Sequence, residues 1–143
     1  MATIKRFEDI EIWQIARKFD SDLFKIVESS KISRDFKLRD QMLGASGSIM
    51  DNIAEGFGRS GNREFGQFLY ISKGSCIELM SQCYRAFDRN YINEEVLESC
   101  LTRLKEINNK IGSFAKYLSQ SEIKGIKYQN RTKYSKKQNT ETV

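Results

Sequence analysis

Apolar residues recur every three or four positions through most of this chain, and four stretches carry that helical period. In the first, Ile12, Ala16, Phe19, Leu23 and Ile26 form one stripe, with Ile10, Trp13, Phe24 and Val27 beside it. The second sets Leu38, Met42, Ala45 and Ile49 beside Phe36, Leu43, Met50, Ile53 and Phe57. Phe65, Leu69, Ser72, Cys76, Leu79 and Cys83 mark the third. The fourth, Leu97, Cys100, Leu104, Ile107, Ile111, Phe114 and Leu118, keeps strict three-four alternation, the pattern of a bundle seam. Such long stretches, in a chain without proline, favour an all-helical protein.

The breaks between these stretches are short and polar. They predict four helices: from near Phe7–Asp9, from Ser33 or Arg34 to Phe57, from Asn62 to Arg89, and from Asn93 to Gln120. At about 20 to 28 residues each they would be roughly 30 to 42 Å long. Connections this short leave an all-α, antiparallel, up-down-up-down four-helix bundle over residues 1–120. Asn93 caps the fourth helix, with Glu94 and Glu95 at the positive end of its dipole. Two helices carry two apolar stripes, and the third adds Ile77, Met80, Tyr84 and Phe87, more than one bundle needs; a homo-oligomer is expected.

The sharpest internal feature is the turn between the second and third helices, where Gly56, Gly58 and Gly61 spell G-x-G-x-x-G. A dinucleotide fingerprint needs a preceding strand, and the residues before Gly56 are helical. The glycines serve a turn instead: Gly56 or Gly58 ends one helix in a left-handed conformation, and Ser60 or Asn62 caps the next. The small run Gly44-Ala45-Ser46-Gly47-Ser48 sits in the second helix at a cost in propensity, which predicts close approach by a neighbour. Polar residues Ser48, Asn52 and Glu55 on that helix and Ser72, Ser75 and Glu78 on the third are expected to face each other in a buried network.

Composition narrows the chemistry. The 143 residues include no histidine and no proline. Without histidine the Ser-His and Cys-His pairs and the Glu-x-x-His metal motif are unavailable, so no catalytic residue, cofactor or metal is expected. The alternative for Glu55 and Glu78, as paired carboxylates on the two helices, is to hold a metal. Cys76, Cys83 and Cys100 lack a C-x-x-C pair and lie on apolar stripes, as small core residues. No run has the length of a membrane span and the first residues lack a signal-peptide pattern, which points to the cytoplasm.

Charge is unevenly placed. Residues 121–143 hold six positive and two negative side chains, leaving eighteen and seventeen in residues 1–120. The basic tail, with Lys124, Lys127, Arg131, Lys133, Lys136 and Lys137, is expected to be disordered, and such arms attract nucleic acid. Two clusters in the body extend the candidate RNA- or DNA-binding set: Arg34, Lys37 and Arg39 at the start of the second helix, and Arg59 with Arg63 at the glycine turn. No aromatic RNP segment or zinc knuckle is present. The alternative is a ring that docks a partner protein and has no direct contact with nucleic acid.

Phe7-Glu8-Asp9 with Trp13-Gln14, then Gln41, Ser48-Ile49, Asn52-Ile53-Ala54-Glu55-Gly56, Gly74-Ser75 and Glu78-Leu79 carry a resemblance over residues 4–120. In these the chain resembles the bacterial four-helix bundle proteins of the 23S rRNA intervening-sequence family. That resemblance implies an antiparallel bundle and a homopentameric ring. It also implies a link to the accessory subunit of diversity-generating retroelements, which partners a reverse transcriptase and nucleic acid. It brings no catalytic residue. Gly47, Gly66 and the long basic tail depart from the family's pattern.

Overall fold

The computed structural model describes the backbone of residues 4–141 and the side chains of residues 4–121. A short 3-10 turn, Phe7–Asp9, leads into α1 (Glu11–Ser29), and a second, Lys31–Arg34, joins it to α2 (Phe36–Gly58). Then follow α3 (Asn62–Asp88) and α4 (Glu94–Glu141), with no strand among the described residues. The boundary expected at residue 120 falls within α4. The tail cations from Lys124 onward lie outside the described side chains.

Each periodic stripe becomes a buried face. The α4 seam is buried from Leu97 through Leu118, with Phe114 half-buried against the same core. Ile10 just before α1, Trp13 and Val27 of α1 and Ile53 of α2, from the second stripes, are also buried, and Leu43, Met50 and Phe57 pack partly against the core. Most of the apolar surplus is therefore used inside one chain. What stays exposed is Ile4, Phe24, Phe36, Tyr117 and, on α3, Ile71 and a face holding Tyr70, Ile77 and Tyr84.

Side-chain bonds fix the register of α2 against α3. Ser72 reaches Ile49, Ser75 reaches Ser48, Arg85 reaches Gln41 and Arg89 reaches Asp35, so numbers rise along α3 as they fall along α2. Arg103 meets Asp22 and Lys110 meets Glu11, tying α4 to α1 in the same opposed sense.

The turns differ from expectation in instructive ways. α2 runs one residue past Phe57 and stops because Arg59 is extended (φ −82°, ψ 154°), with no left-handed glycine at its end. The positive φ belongs to Gly61, at 106°, which occupies the N-cap of α3 with no side-chain bond from Ser60 or Asn62. Only glycine holds that conformation without strain. Asn90 closes α3 at φ 61°, with its N–H on the Phe87 carbonyl and that of Tyr91 on the Ala86 carbonyl, a Schellman ending. The Asn93 cap forms as expected, its Oδ1 accepting from the Val96 amide at 2.9 Å.

Close approach does not occur at Gly44 or Gly47. A Cβ at Gly44 would meet nothing within 4 Å, and at Gly47 only its own helix's Asp51. It is Gly56 that admits a neighbour, Phe68 of α3.

Candidate functional site

Four of the six residues expected in the polar line make hydrogen bonds along or between α2 and α3. Ser72 donates to the Ile49 carbonyl at 2.8 Å, and the Ser75 and Ser48 hydroxyls lie 2.9 Å apart. Asn52 donates from Nδ2 to the Ser48 carbonyl and hydroxyl at 2.8 and 2.9 Å. Glu55 and Glu78 make no hydrogen bond with these four. Glu55 is exposed and accepts from Arg59 at 2.8 Å, and Glu78, also exposed, accepts from Gln82 at 3.1 Å. Because Ser75 is level with Ser48, Glu78 and Glu55 are separated by about ten residues along the helix axis, roughly 15 Å. These two carboxylates do not face each other, and no group of three metal-ligating side chains occurs among the described residues.

The basic residues gather at two separate ends. At the α2–α3 turn, Arg59 pairs with Glu55 and lies 5.1 Å from the Phe68 ring centroid. Arg63 is exposed and makes no ion pair among the described residues. Beside them is an open cleft of about 420 Å³ walled by Phe57, Phe65, Phe114 and Tyr117. Phe65 stands edge-on to Phe57 and Phe114, at 6.2 and 5.5 Å between centroids. Ser121 lines the same cleft, so the chain leads into the basic tail from this end.

The other end is organised by Asp35, the N-cap of α2. Its Oδ1 accepts from the Leu38 amide at 3.3 Å, and its Oδ2 accepts from Arg89 at 2.7 Å and the Tyr91 hydroxyl at 3.0 Å. The Leu38 amide above all, then the Tyr91 and Arg89 bonds, hold this carboxyl below the usual range. Arg34 and Lys37 are exposed, and Arg39 is held by Asp40 at 3.1 Å and by the Ser33 carbonyl at 3.4 Å. With α2 spanning 23 residues, about 34 Å, the Arg34–Arg39 and Arg59–Arg63 clusters cannot share one small ligand.

Asp35, Tyr91 and Lys31 join this end although the charge pattern of the sequence does not single them out. An aspartate immediately before an apolar periodic run is a cap signal for Asp35. Nothing local in the sequence marks the other two, which reach this end from different connections.

Four helices, a shared apolar core and no strand among the described residues define an all-helical protein. Residues 8–113 match the 23S rRNA-intervening sequence protein family, and the chain belongs to that family. A crystal structure of a protein of unknown function from the S23 ribosomal protein family of Bacteroides thetaiotaomicron VPI-5482 has a similar fold. Its TM-score is 0.66 at 23% identity, covering 73% of this chain and 98% of that one. No curated protein matches the chain. No helix among the described residues is long and apolar enough to cross a membrane.

Proposed function

We propose that this chain is a non-enzymatic, antiparallel up-down-up-down bundle that assembles as a cytoplasmic homo-oligomeric ring and binds RNA or DNA electrostatically. The observation that carries this reading is how the charges are spent. Three acids beside the basic clusters, Asp35, Asp40 and Glu55, are already paired with Arg89, Arg39 and Arg59, whereas Glu64 next to Arg63 is exposed and unpaired among the described residues. Arg34, Lys37 and Arg63 are left without an ion pair among the described residues. Exposed cations of this kind, repeated around a ring and joined by Lys124, Lys127, Arg131, Lys133, Lys136 and Lys137, add weak phosphate contacts into usable affinity. The number five comes from family resemblance alone.

The test is salt dependence. Each phosphate neutralised on a duplex contributes about −0.9 to the slope of log affinity against log salt. Deleting residues 121–143 should flatten that slope, and changing Arg59 and Arg63 to Ala should weaken binding further with helicity intact. Absence of binding to duplex and single strand at low salt would favour the second reading, a ring that docks a protein partner. The exposed apolar face of α3 and the nearly balanced charge of residues 1–120 speak for that alternative.

A further inference from the structure

Phe36 opens α2 and belongs by spacing to an apolar stripe, yet it is 64% exposed. The Arg39 guanidinium covers one face of its ring, 4.8 Å from the centroid. With one face covered, an exposure this large leaves the other face to solvent. Lys31, Arg34 and Tyr91 join Phe36 and Asp35 around a hollow of about 440 Å³. A second hollow of about 450 Å³ shares Lys31, Arg34 and Tyr91. Lys37 is exposed on the first turn of α2. Lys31, Arg34 and Lys37 form no ion pair among the described residues. Of the acids lining either hollow, Asp35 is tied to Arg89 and Tyr91, and Glu28 borders only the second.

We propose that this end of the bundle holds single-stranded RNA or DNA, one base stacking on the open face of Phe36 while neighbouring phosphates meet Lys31, Arg34 and Lys37. The proposal rests on the nucleic-acid reading above and narrows it to a strand state and a place. A duplex keeps its base faces stacked inside, so an exposed aromatic ring among cations is useful only to a strand whose bases are free. A protein partner seated on the ring would have to remove water from three cations and supply acids for each of them. A polyanion supplies them along its own backbone. Arg39 behind the ring strengthens the stack, since a guanidinium on one face and a base on the other make a continuous sandwich. Ser29, Ser33 and Asn90 line the second hollow, but the stack on Phe36 itself does not depend on which base supplies it.

Titration of the full chain against labelled (dT)20, (U)20 and a 20-base-pair mixed-sequence duplex, at several salt concentrations, tests the proposal. Phe36→Ala should weaken single-strand binding by about tenfold, the scale of one lost base stack, with duplex affinity and salt slope unchanged. Phe36→Tyr should restore it. Changing Arg34 and Lys37 to Gln should instead lower the single-strand salt slope by about 0.7 for each contact removed. Circular dichroism and light scattering on the same variants separate binding from folding and assembly. If wild-type protein binds single strands and Phe36→Ala binds them equally well, the stacking site is wrong and the broader reading survives. If Phe36→Ala shifts the assembly mass and weakens all three probes alike, the ring is a subunit contact and the proposal falls. If wild-type protein binds none of the probes at low salt, both readings fall together.

Discussion

Gly56 of α2 and Phe68 of α3 are packed so closely that a Cβ on Gly56 would lie 2.8 Å from the Phe68 Cβ and 3.0 Å from Cδ1 of Phe65. Two helices meet here just before the turn that joins them. A methyl group at this position must push the backbones apart, because both contacts involve atoms with little freedom to retreat. Gly56→Ala should cost about 1–3 kcal/mol, the range for an overpacked core, and lower the urea midpoint at unchanged slope. Gly44→Ala is the opposite case. Its Cβ would meet nothing within 4 Å, so relief of glycine's entropy in a helix interior should raise stability by about 0.5–1 kcal/mol.

That contrast marks how far the sequence was legible. Helix propensity charges every glycine alike, so Gly44 and Gly47 read as points of close approach and Gly56 as a helix end until the facing of each helix is known. The apolar stripes carry their own facing, and residues from Ile12 to Leu118 duly line one core. The serines Ser48, Ser72 and Ser75 could be placed for the same reason, being spaced along with the stripe. Glu55 and Glu78 are spaced almost as well, but one residue turns a helix by about 100°, enough to move a carboxylate from seam to solvent. The surface at Phe36 was beyond reach. Lys31 and Tyr91 come from different connections, and only the register of α2 against α3 brings them to one place.

Asp35 predicts an acid-sensitive end. Its folded-state carboxyl lies below the unfolded value near 3.9, chiefly through the Leu38 amide, then Tyr91 and Arg89. A depressed carboxyl favours the folded state above the unfolded value, and that contribution is lost as pH falls through the folded one. Asp35→Asn should therefore be less stable than wild type at pH 7. The gap should narrow on acidification below about pH 4, when the wild-type carboxyl takes up its proton. Thermal midpoints of both proteins across that range check this; a gap that stays constant would show the charge to be irrelevant.

The three cysteines should be silent. All are buried and free, and burial pushes the Cys76 thiol up to about 12 despite the nearby Lys73. Cys83 and Cys100 interact across the α3–α4 seam: Cys100 and then burial raise the Cys83 thiol, while Cys83 lowers that of Cys100, which is protected by its burial alone. Thiolate is the reactive form, so a disulfide reagent at neutral pH should label none of them in minutes in native buffer. All three should react in strong denaturant. Rapid labelling of one thiol without denaturant would mean that α3 and α4 separate locally far more readily than their packing implies.

The last prediction concerns the face that the core leaves over. Tyr70, Ile77 and Tyr84 are 65%, 54% and 50% exposed and recur every seven residues along α3. Between them lie Gly74, where a Cβ would meet nothing within 4 Å, and the exposed Ser81. Large residues alternating with small ones at this period form knobs beside holes, the pattern that seats a second helix. If the ring closes on this face, each Ile77 buried between subunits contributes about 1.5–3 kcal/mol, and a carboxylate there adds a desolvation cost. Ile77→Asp should then shift the light-scattering mass toward the 16.6 kDa chain at micromolar concentration while the helical dichroism spectrum is unchanged. Phe24→Asp, on an exposed position of α1, should leave the mass where it was. An Ile77→Asp protein that assembles like wild type would move the subunit contact off α3. A wild-type protein that is already monomeric would remove the ring itself.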